Sequence, residues 1–295
     1  MQDLTKKIRP EADKARLTAA DHDRRGAGLL YVYPVVSRRA GGVSIGVNLN
    51  VNNACNWRCV YCQVPDLTRG APPAIDLPRL RSELKGFLDD VLHGDFLEQR
   101  VAPGARRLND IALSGNGEPT SAGEFGQVVD LIGQVRREAG VPDAVKTVLI
   151  TNGSLMHRAS VQAGVAGLRA LQGEVWFKID RAPGAGMRKV NNSRAGLERV
   201  RANLQAAAGL CPTWVQTCMF AWDGAPPGES ELLAYLDLLG ERLAAGVRLE
   251  GVLLYSLARP SFQPEAGHLQ ALPAGWLESF AARIRMLGLE VRVTP

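Results

Sequence analysis

The sequence predicts an α/β protein made of parallel βα units, on three observations. Short β-prone runs alternate with longer stretches of helical periodicity, the alternation recurs six times, and the residues that close the β-prone runs are polar and glycine-rich. Of the 295 residues, 46% are hydrophobic and 22% charged, which suits a globular chain with a sizeable core and excludes a disordered or fibrous one.

The segment Met1 to Arg25 is charged throughout, reads as a helical opening and lacks the apolar stretch of a secretory signal. It is followed by the β-prone run Leu29 to Val36 and a turn at Arg38, Arg39, Gly41 and Gly42, so residues 1–40 read as an N-terminal extension. The first strand of the repeating pattern is Val43 to Val51. Its helix begins near Asp76, with Leu77, Leu80, Leu84, Phe87, Leu88 and Val91 on one face.

Next come Asp110 to Ser114 with a helix carrying Phe125, Val128, Val129, Ile132 and Val135, then Val145 to Thr151 with a helix from His157 to Leu171. The fourth strand, Val175 to Asp180, precedes a helix with Leu197, Val200 and Leu204. The fifth, Thr213 to Ala221, precedes one with Leu232, Leu233, Leu236 and Leu239. Leu249 to Tyr255 is the sixth, and a helix with Trp276, Leu277, Phe280 and Ile284 leads to a β-prone tail, Leu289 to Thr294. Residues 41–262 thus read as the core, and 263–295 as a helix and tail closing it. Such units form either a doubly wound sheet or a partly closed barrel, and both place their chemistry beyond the C-terminal ends of the strands.

No apolar run approaches the roughly 20 residues of a membrane span, so the expectation is a cytoplasmic protein with no membrane partner. The net charge of +5 is spread along the chain and fits phosphate-bearing substrates or an acidic electron donor equally well. Five cysteines in a reducing compartment argue for metal or redox chemistry rather than disulfides. Three of them, Cys55, Cys59 and Cys62, follow the first strand in a C-x3-C-x2-C spacing. Thiolates are soft ligands for zinc or iron-sulfur centres, and a closed structural zinc site wants four of them. Three leave a position open, unless Cys211 or Cys218 fills it; both of these otherwise read as small core residues.

With Tyr61 just before the last cysteine, this spacing resembles the hallmark of the radical S-adenosylmethionine (radical SAM) superfamily. The resemblance runs from about Gly42 to Pro260. It implies a partial (β/α)6 TIM-like barrel with helices outside, a 4Fe-4S cluster on Cys55, Cys59 and Cys62, and S-adenosylmethionine chelating the fourth iron. The loop Ser114-Gly115-Asn116-Gly117-Glu118-Pro119 looks like the family's G-G-E-P motif with Asn116 in place of the first glycine, which makes Asn116, Gly117 and Glu118 candidates for binding the methionine ammonium.

Thr151-Asn152-Gly153 resembles the family's T-N-G, making Asn152 a candidate, and Tyr61 joins the same set. Lys178 and Asp180 fall on one side of the fourth strand by two-residue alternation, as ribose or methionine-carboxylate contacts; the plainer alternative is an Asp180 that caps the next turn or pairs with Arg181. Gln216 is a candidate for the adenosine or substrate side, together with the run from Tyr255 to Pro260. Arg188-Lys189-Val190-Asn191 is similar to a stretch of the wyosine-synthase-like members.

The resemblance further implies a low-potential electron donor of flavodoxin or ferredoxin type. The 5′-deoxyadenosyl radical would take hydrogen from a substrate that the sequence leaves open, a protein, a nucleobase or a small molecule. No cysteine precedes residue 55 or follows 218, which points to a single-cluster enzyme. Two other readings remain: a tRNA- or nucleobase-modifying version with Arg38, Arg39, Arg181, Arg188 and Lys189 on phosphates, and a non-catalytic iron-sulfur or zinc protein closed by Cys211 or Cys218.

Overall fold

The structure is a computed structural model that describes residues 16–17, 28–37 and 41–295. The helical opening expected within Met1 to Arg25, and Arg38 and Arg39, therefore lie outside the described residues or almost so. Strands β1 (Val32–Ser37) and β2 (Gly42–Val47) form an antiparallel pair, and two-residue strands β3 (Ala54–Cys55) and β4 (Thr68–Arg69) brace the cysteine loop against its own exit.

Helix α1 (Leu77–His93) starts where Asp76 accepts a hydrogen bond from the Arg79 amide at 3.0 Å, with proline in its first turn. It buries Leu80, Leu84, Phe87, Leu88 and Val91 as the periodicity predicts. Glu83 on the same face is also buried, because its carboxylate accepts the Leu30 and Tyr31 amides and so ties the entry of β1 to the helix.

There follow α2 (Phe96–Arg100), β5 (Leu108–Leu113), α3 (Phe125–Glu138), β6 (Lys146–Thr151), α4 (Ala159–Leu168), β7 (Gly173–Lys178), α5 (Ala185–Asn191) and α6 (Leu197–Leu210). The chain ends with β8 (Thr213–Cys218), β9 (Phe220–Trp222), α7 (Glu229–Ala244), β10 (Gly251–Tyr255), β11 (Leu269–Ala271), α8 (Ala274–Arg285) and β12 (Val291–Thr294).

The main sheet has eight strands in the order β1-β2-β5-β6-β7-β8-β10-β12, parallel throughout except for β1 against β2. The parallel strands follow chain order with no switch point, which decides for the half-barrel over the doubly wound sheet. The C-terminal tail is β12, one more parallel strand. Alternation gives each strand two different faces. Ile45, Ile111, Leu149, Phe177, Val215 and Leu254 are buried in the main core, whereas their neighbours Ser44, Asp110, Ile150, Lys178, Gln216 and Tyr255 line a cavity on the inner face.

Two strand ends, one helix and one helix face differ from expectation for physical reasons. The first strand stops at Val47 rather than Val51, because the Asn48 side chain turns back to accept the Asn50 and Asn116 amides. The fifth stops at Cys218; the Cys218 amide is taken by Asp180, and Phe220–Trp222 leaves to pair with Leu269–Ala271 in a separate two-stranded sheet. Helix α5, not anticipated, occupies the connection after β7. On α7 the leucine-rich run offers two stripes; Tyr235, bonded through its hydroxyl to Thr217 at 2.6 Å, packs inward with Leu232 and Leu239, and Leu233 is left exposed. Among the described residues no helix is long and apolar enough to cross a membrane.

Candidate functional site

Along the inner face of the sheet and up to the C-terminal ends of β2, β5, β6, β7, β8 and β10, the chain leaves a cavity of about 310 Å³. Cys55, Cys59 and Cys62 all line it, as do Tyr61, Asn116, Gly117, Glu118, Asn152, Lys178 and Gln216. Asp180 does not. It stands behind the wall, accepting the Tyr61 hydroxyl at 2.5 Å, Asn191 Nδ2 at 2.7 Å and the Cys218 amide at 2.9 Å. Neither of the plainer roles considered for its carboxylate, a turn cap or an ion pair with Arg181, is what it does.

The cysteine loop is held on three sides. Asn50 Nδ2 donates to the Ala54 carbonyl at 2.9 Å, and Asn53, in left-handed backbone at φ 57°, accepts Asn116 Nδ2 at 2.6 Å. This explains the departure from glycine at 116: its side chain fastens the loop after β5 to the loop that carries the cysteines. The conformation that demands glycine is displaced to Gly115, at φ 149°, where a Cβ would fall 2.3 Å from Asn48 Oδ1.

Gly117 approaches equally closely, since a Cβ there would meet the Ala54 carbonyl at 2.2 Å. On the far side, the loop after β10 binds the cysteine loop through Phe262 N to Cys62 O at 3.0 Å, Ser261 Oγ to Val60 O at 2.7 Å, and a two-bond pair between Arg58 and Glu265. The end of α5 completes the grip, with Val60 N on the Val190 carbonyl at 2.9 Å.

Glu118 is 2% exposed and accepts four donors: Thr120 N and Oγ1, Thr151 Oγ1 and Asn152 N. Burial nonetheless outweighs those bonds and raises its pKa above the usual carboxylate value. Asn152 in turn donates to Asn56 Oδ1 at 2.8 Å, so the ends of β5 and β6 and the cysteine loop form one hydrogen-bonded rim. Lys178 Nζ donates to Tyr255 Oη at 3.2 Å and sits 5.0 Å from the centre of the Tyr61 ring. Burial acts against its charge, but Tyr255 and Asp180 overcome it, and the lysine pKa is raised. Gln216, 2% exposed beside Lys178 on the next strand, has an Nε2 with no partner among the described residues.

The three cysteines form no disulfide, and their donor set fits an iron-sulfur cluster. Burial pushes the Cys55 thiol up to about 11 and that of Cys59 to about 12, so a metal centre held there would have to displace these protons. Two sulfurs already accept N–H bonds that favour a thiolate: Cys55 Sγ from Trp57 N at 3.4 Å, and Cys59 Sγ from Asn191 Nδ2 at 3.3 Å. Among the described residues no trio of histidine, cysteine or acidic side chains is gathered for one metal ion.

Cys211 lies away from the cavity with its thiol on the Gly173 carbonyl at 3.3 Å. Cys218 shares the wall, but the charged groups around it are Asp180, Lys178 and Arg181. Arg181, expected as a phosphate contact, is instead 4% exposed and spends its guanidinium on the carbonyls of Asp180 and Cys218, which leaves it out of reach of a phosphate. Arg188 and Lys189 are exposed, and Lys189 rests over the Trp222 ring at 4.5 Å.

Sequence reasoning missed Asn56 and Asn48. It noted Asn191 only within a short motif, and nothing in the sequence shows that this residue reaches a cysteine.

No family model matches the chain. Among curated proteins it is 24% identical over 168 residues to UPF0026 protein slr1464 of Synechocystis sp., an alignment covering 57% of this chain and 54% of that protein. The chain therefore spans about half the length of the curated relative it matches. Among solved structures, a radical SAM methyltransferase from Sphaerobacter thermophilus superposes with a TM-score of 0.55 at 12% identity, over 86% of this chain and 66% of that one. A mutant of spore photoproduct lyase superposes with a TM-score of 0.51 at 11% identity, over 82% and 74%. At such identities the likeness speaks for architecture, and with parallel strands in chain order and the cysteine loop after the first of them, the chain has the fold of the radical SAM enzymes.

Proposed function

We propose that this chain is a radical SAM enzyme, in which Cys55, Cys59 and Cys62 hold a 4Fe-4S cluster with one iron left for the amino and carboxyl groups of S-adenosylmethionine. The observation that carries this reading is the sharing of one cavity by the three cysteines, the Gly117-Glu118 loop and Asn152. When bound, the cluster and S-adenosylmethionine supply a low-potential electron and a 5′-deoxyadenosyl radical that takes hydrogen from a substrate.

The protein's part is to bind, orient and exclude water. Gly117 lets the loop after β5 come close to Ala54 beside the first cysteine, and Glu118, fixed by its four donors, supplies negative charge toward an ammonium. Lys178 offers its cation to a carboxylate or ribose, and Gln216 Nε2, without a partner among the described residues, offers a donor on the adenosine or substrate side. Asp180 acts through Tyr61, whose hydroxyl it anchors, rather than by touching the ligand. The electron comes from a flavodoxin- or ferredoxin-type donor, and the substrate is left unassigned.

The test is anaerobic reconstitution with iron and sulfide, followed by dithionite and S-adenosylmethionine, with 5′-deoxyadenosine measured for wild type and Cys59→Ala. Product from the wild type alone is expected. Product from both, or from neither after verified iron loading, overturns the reading.

A further inference from the structure

Asn191 is completely buried at the last position of α5, outside the cavity lining, yet its amide makes two directed contacts. Nδ2 donates to Cys59 Sγ at 3.3 Å and to Asp180 Oδ2 at 2.7 Å. Oδ1 has no partner among the described residues. Two acceptors on the same side fix the amide orientation, since the flipped form would set its oxygen against a carboxylate and a sulfur. Leaving a buried carbonyl oxygen unpaired costs stability, so packing alone gives no reason to keep an asparagine here.

The amide is also held rigidly. Asn192 Nδ2 donates to the Arg58 carbonyl at 2.8 Å, and Val60 N donates to the Val190 carbonyl at 2.9 Å, which locks the end of α5 on the cysteine loop.

An N–H aimed at a ligating sulfur stabilises the more negative, reduced form of an iron-sulfur centre, and a nearby buried carboxylate destabilises it. We infer that Asn191 and Asp180 form an opposed pair that sets the reduction potential of the cluster at Cys59, the amide raising it and the carboxylate lowering it. This rests on the cluster-binding reading above. The step concerned is a one-electron reduction by an external low-potential donor, with no bond made and no proton moved.

The experiment is a redox titration of the reconstituted full chain followed by electron paramagnetic resonance, with titanium(III) citrate as reductant, on wild type, Asn191→Leu and Asp180→Asn. At a fixed potential near the wild-type midpoint, Asn191→Leu should lower the ratio of reduced to oxidised cluster by about tenfold, which is about 59 mV for one electron. Asp180→Asn should raise it by a similar factor.

Opposite shifts support the inference, because a merely structural role would not give the two near-isosteric variants opposite signs. Shifts in the same direction, or none, overturn it. If Asn191→Leu does not fold, the upward shift in Asp180→Asn is still required, and its absence overturns the inference. A wild type that binds no cluster overturns the site reading itself. A normal wild-type cluster with unmoved potentials in the variants overturns the inference alone.

Discussion

Arg58 and Glu265, 207 residues apart in the chain, meet in a two-bond ion pair at 2.6 and 2.7 Å that ties the cysteine loop to the loop after β10. The fork of Arg58 matches a carboxylate geometrically, which makes the pair directional as well as charged.

This pair predicts a pH dependence. Arg58 holds the Glu265 carboxyl below its usual value of 4.5. The folded pKa is depressed, so the stabilisation is complete above about pH 4.5 and is lost as pH falls through the lower folded value. Glu265→Gln should therefore be less stable than wild type at neutral pH by about 1 kcal/mol, as expected for a partly exposed pair, and the difference should shrink below pH 4. Chemical denaturation at pH 7 and pH 3.5 checks this; an unchanged difference sinks it.

Asn116→Gly restores the glycine of the family motif but removes the bond to Asn53. A loss of about 1–2 kcal/mol is expected, from one hydrogen bond and the added backbone freedom. Reconstituted iron should also be retained less well on dilution into chelator. A gain in stability would show that the Asn116–Asn53 contact does not hold the loop.

Gly117→Ala places a Cβ against the Ala54 carbonyl at 2.2 Å, a backbone atom that cannot swing aside. The expected cost is about 1–3 kcal/mol, with a matching loss of iron loading because Ala54 precedes Cys55. Calorimetry and iron analysis measure the two effects, and a neutral result in both would contradict the close approach.

Gln216→Met removes a buried donor that has no partner among the described residues, while nearly conserving volume. The cofactor-free protein should gain stability, by about 1 kcal/mol or more, and lose affinity for S-adenosylmethionine or substrate. Thermal denaturation with and without S-adenosylmethionine reads both. A destabilised variant would mean that the amide is satisfied in solution.

Much of the site is legible in sequence because it is local. The cysteine spacing, the Gly117-Glu118 turn and Asn152 each lie within a few residues of a strand end, and strand ends of parallel sheets converge on one rim. Asp180 shows the limit of such reasoning: alternation places it beside Lys178, but its partners Tyr61, Asn191 and Cys218 come from three other segments. Arg181 shows it again, since nothing local distinguishes an exposed arginine from one spent on two buried carbonyls.

The sequence by itself determined the α/β class, the buried faces of α1 and α3 and the three thiol positions, because periodicity and ligand spacing are properties of neighbouring residues, whereas Leu197 and Leu233, expected on buried faces, are exposed. Only the tertiary structure decided the half-barrel order of the strands, the antiparallel edge strand β1, the departure of β9 from the sheet and the reach of Asn191 to Cys59. Those outcomes are contacts between distant segments, fixed by which buried donors find which acceptors when the chain closes on itself.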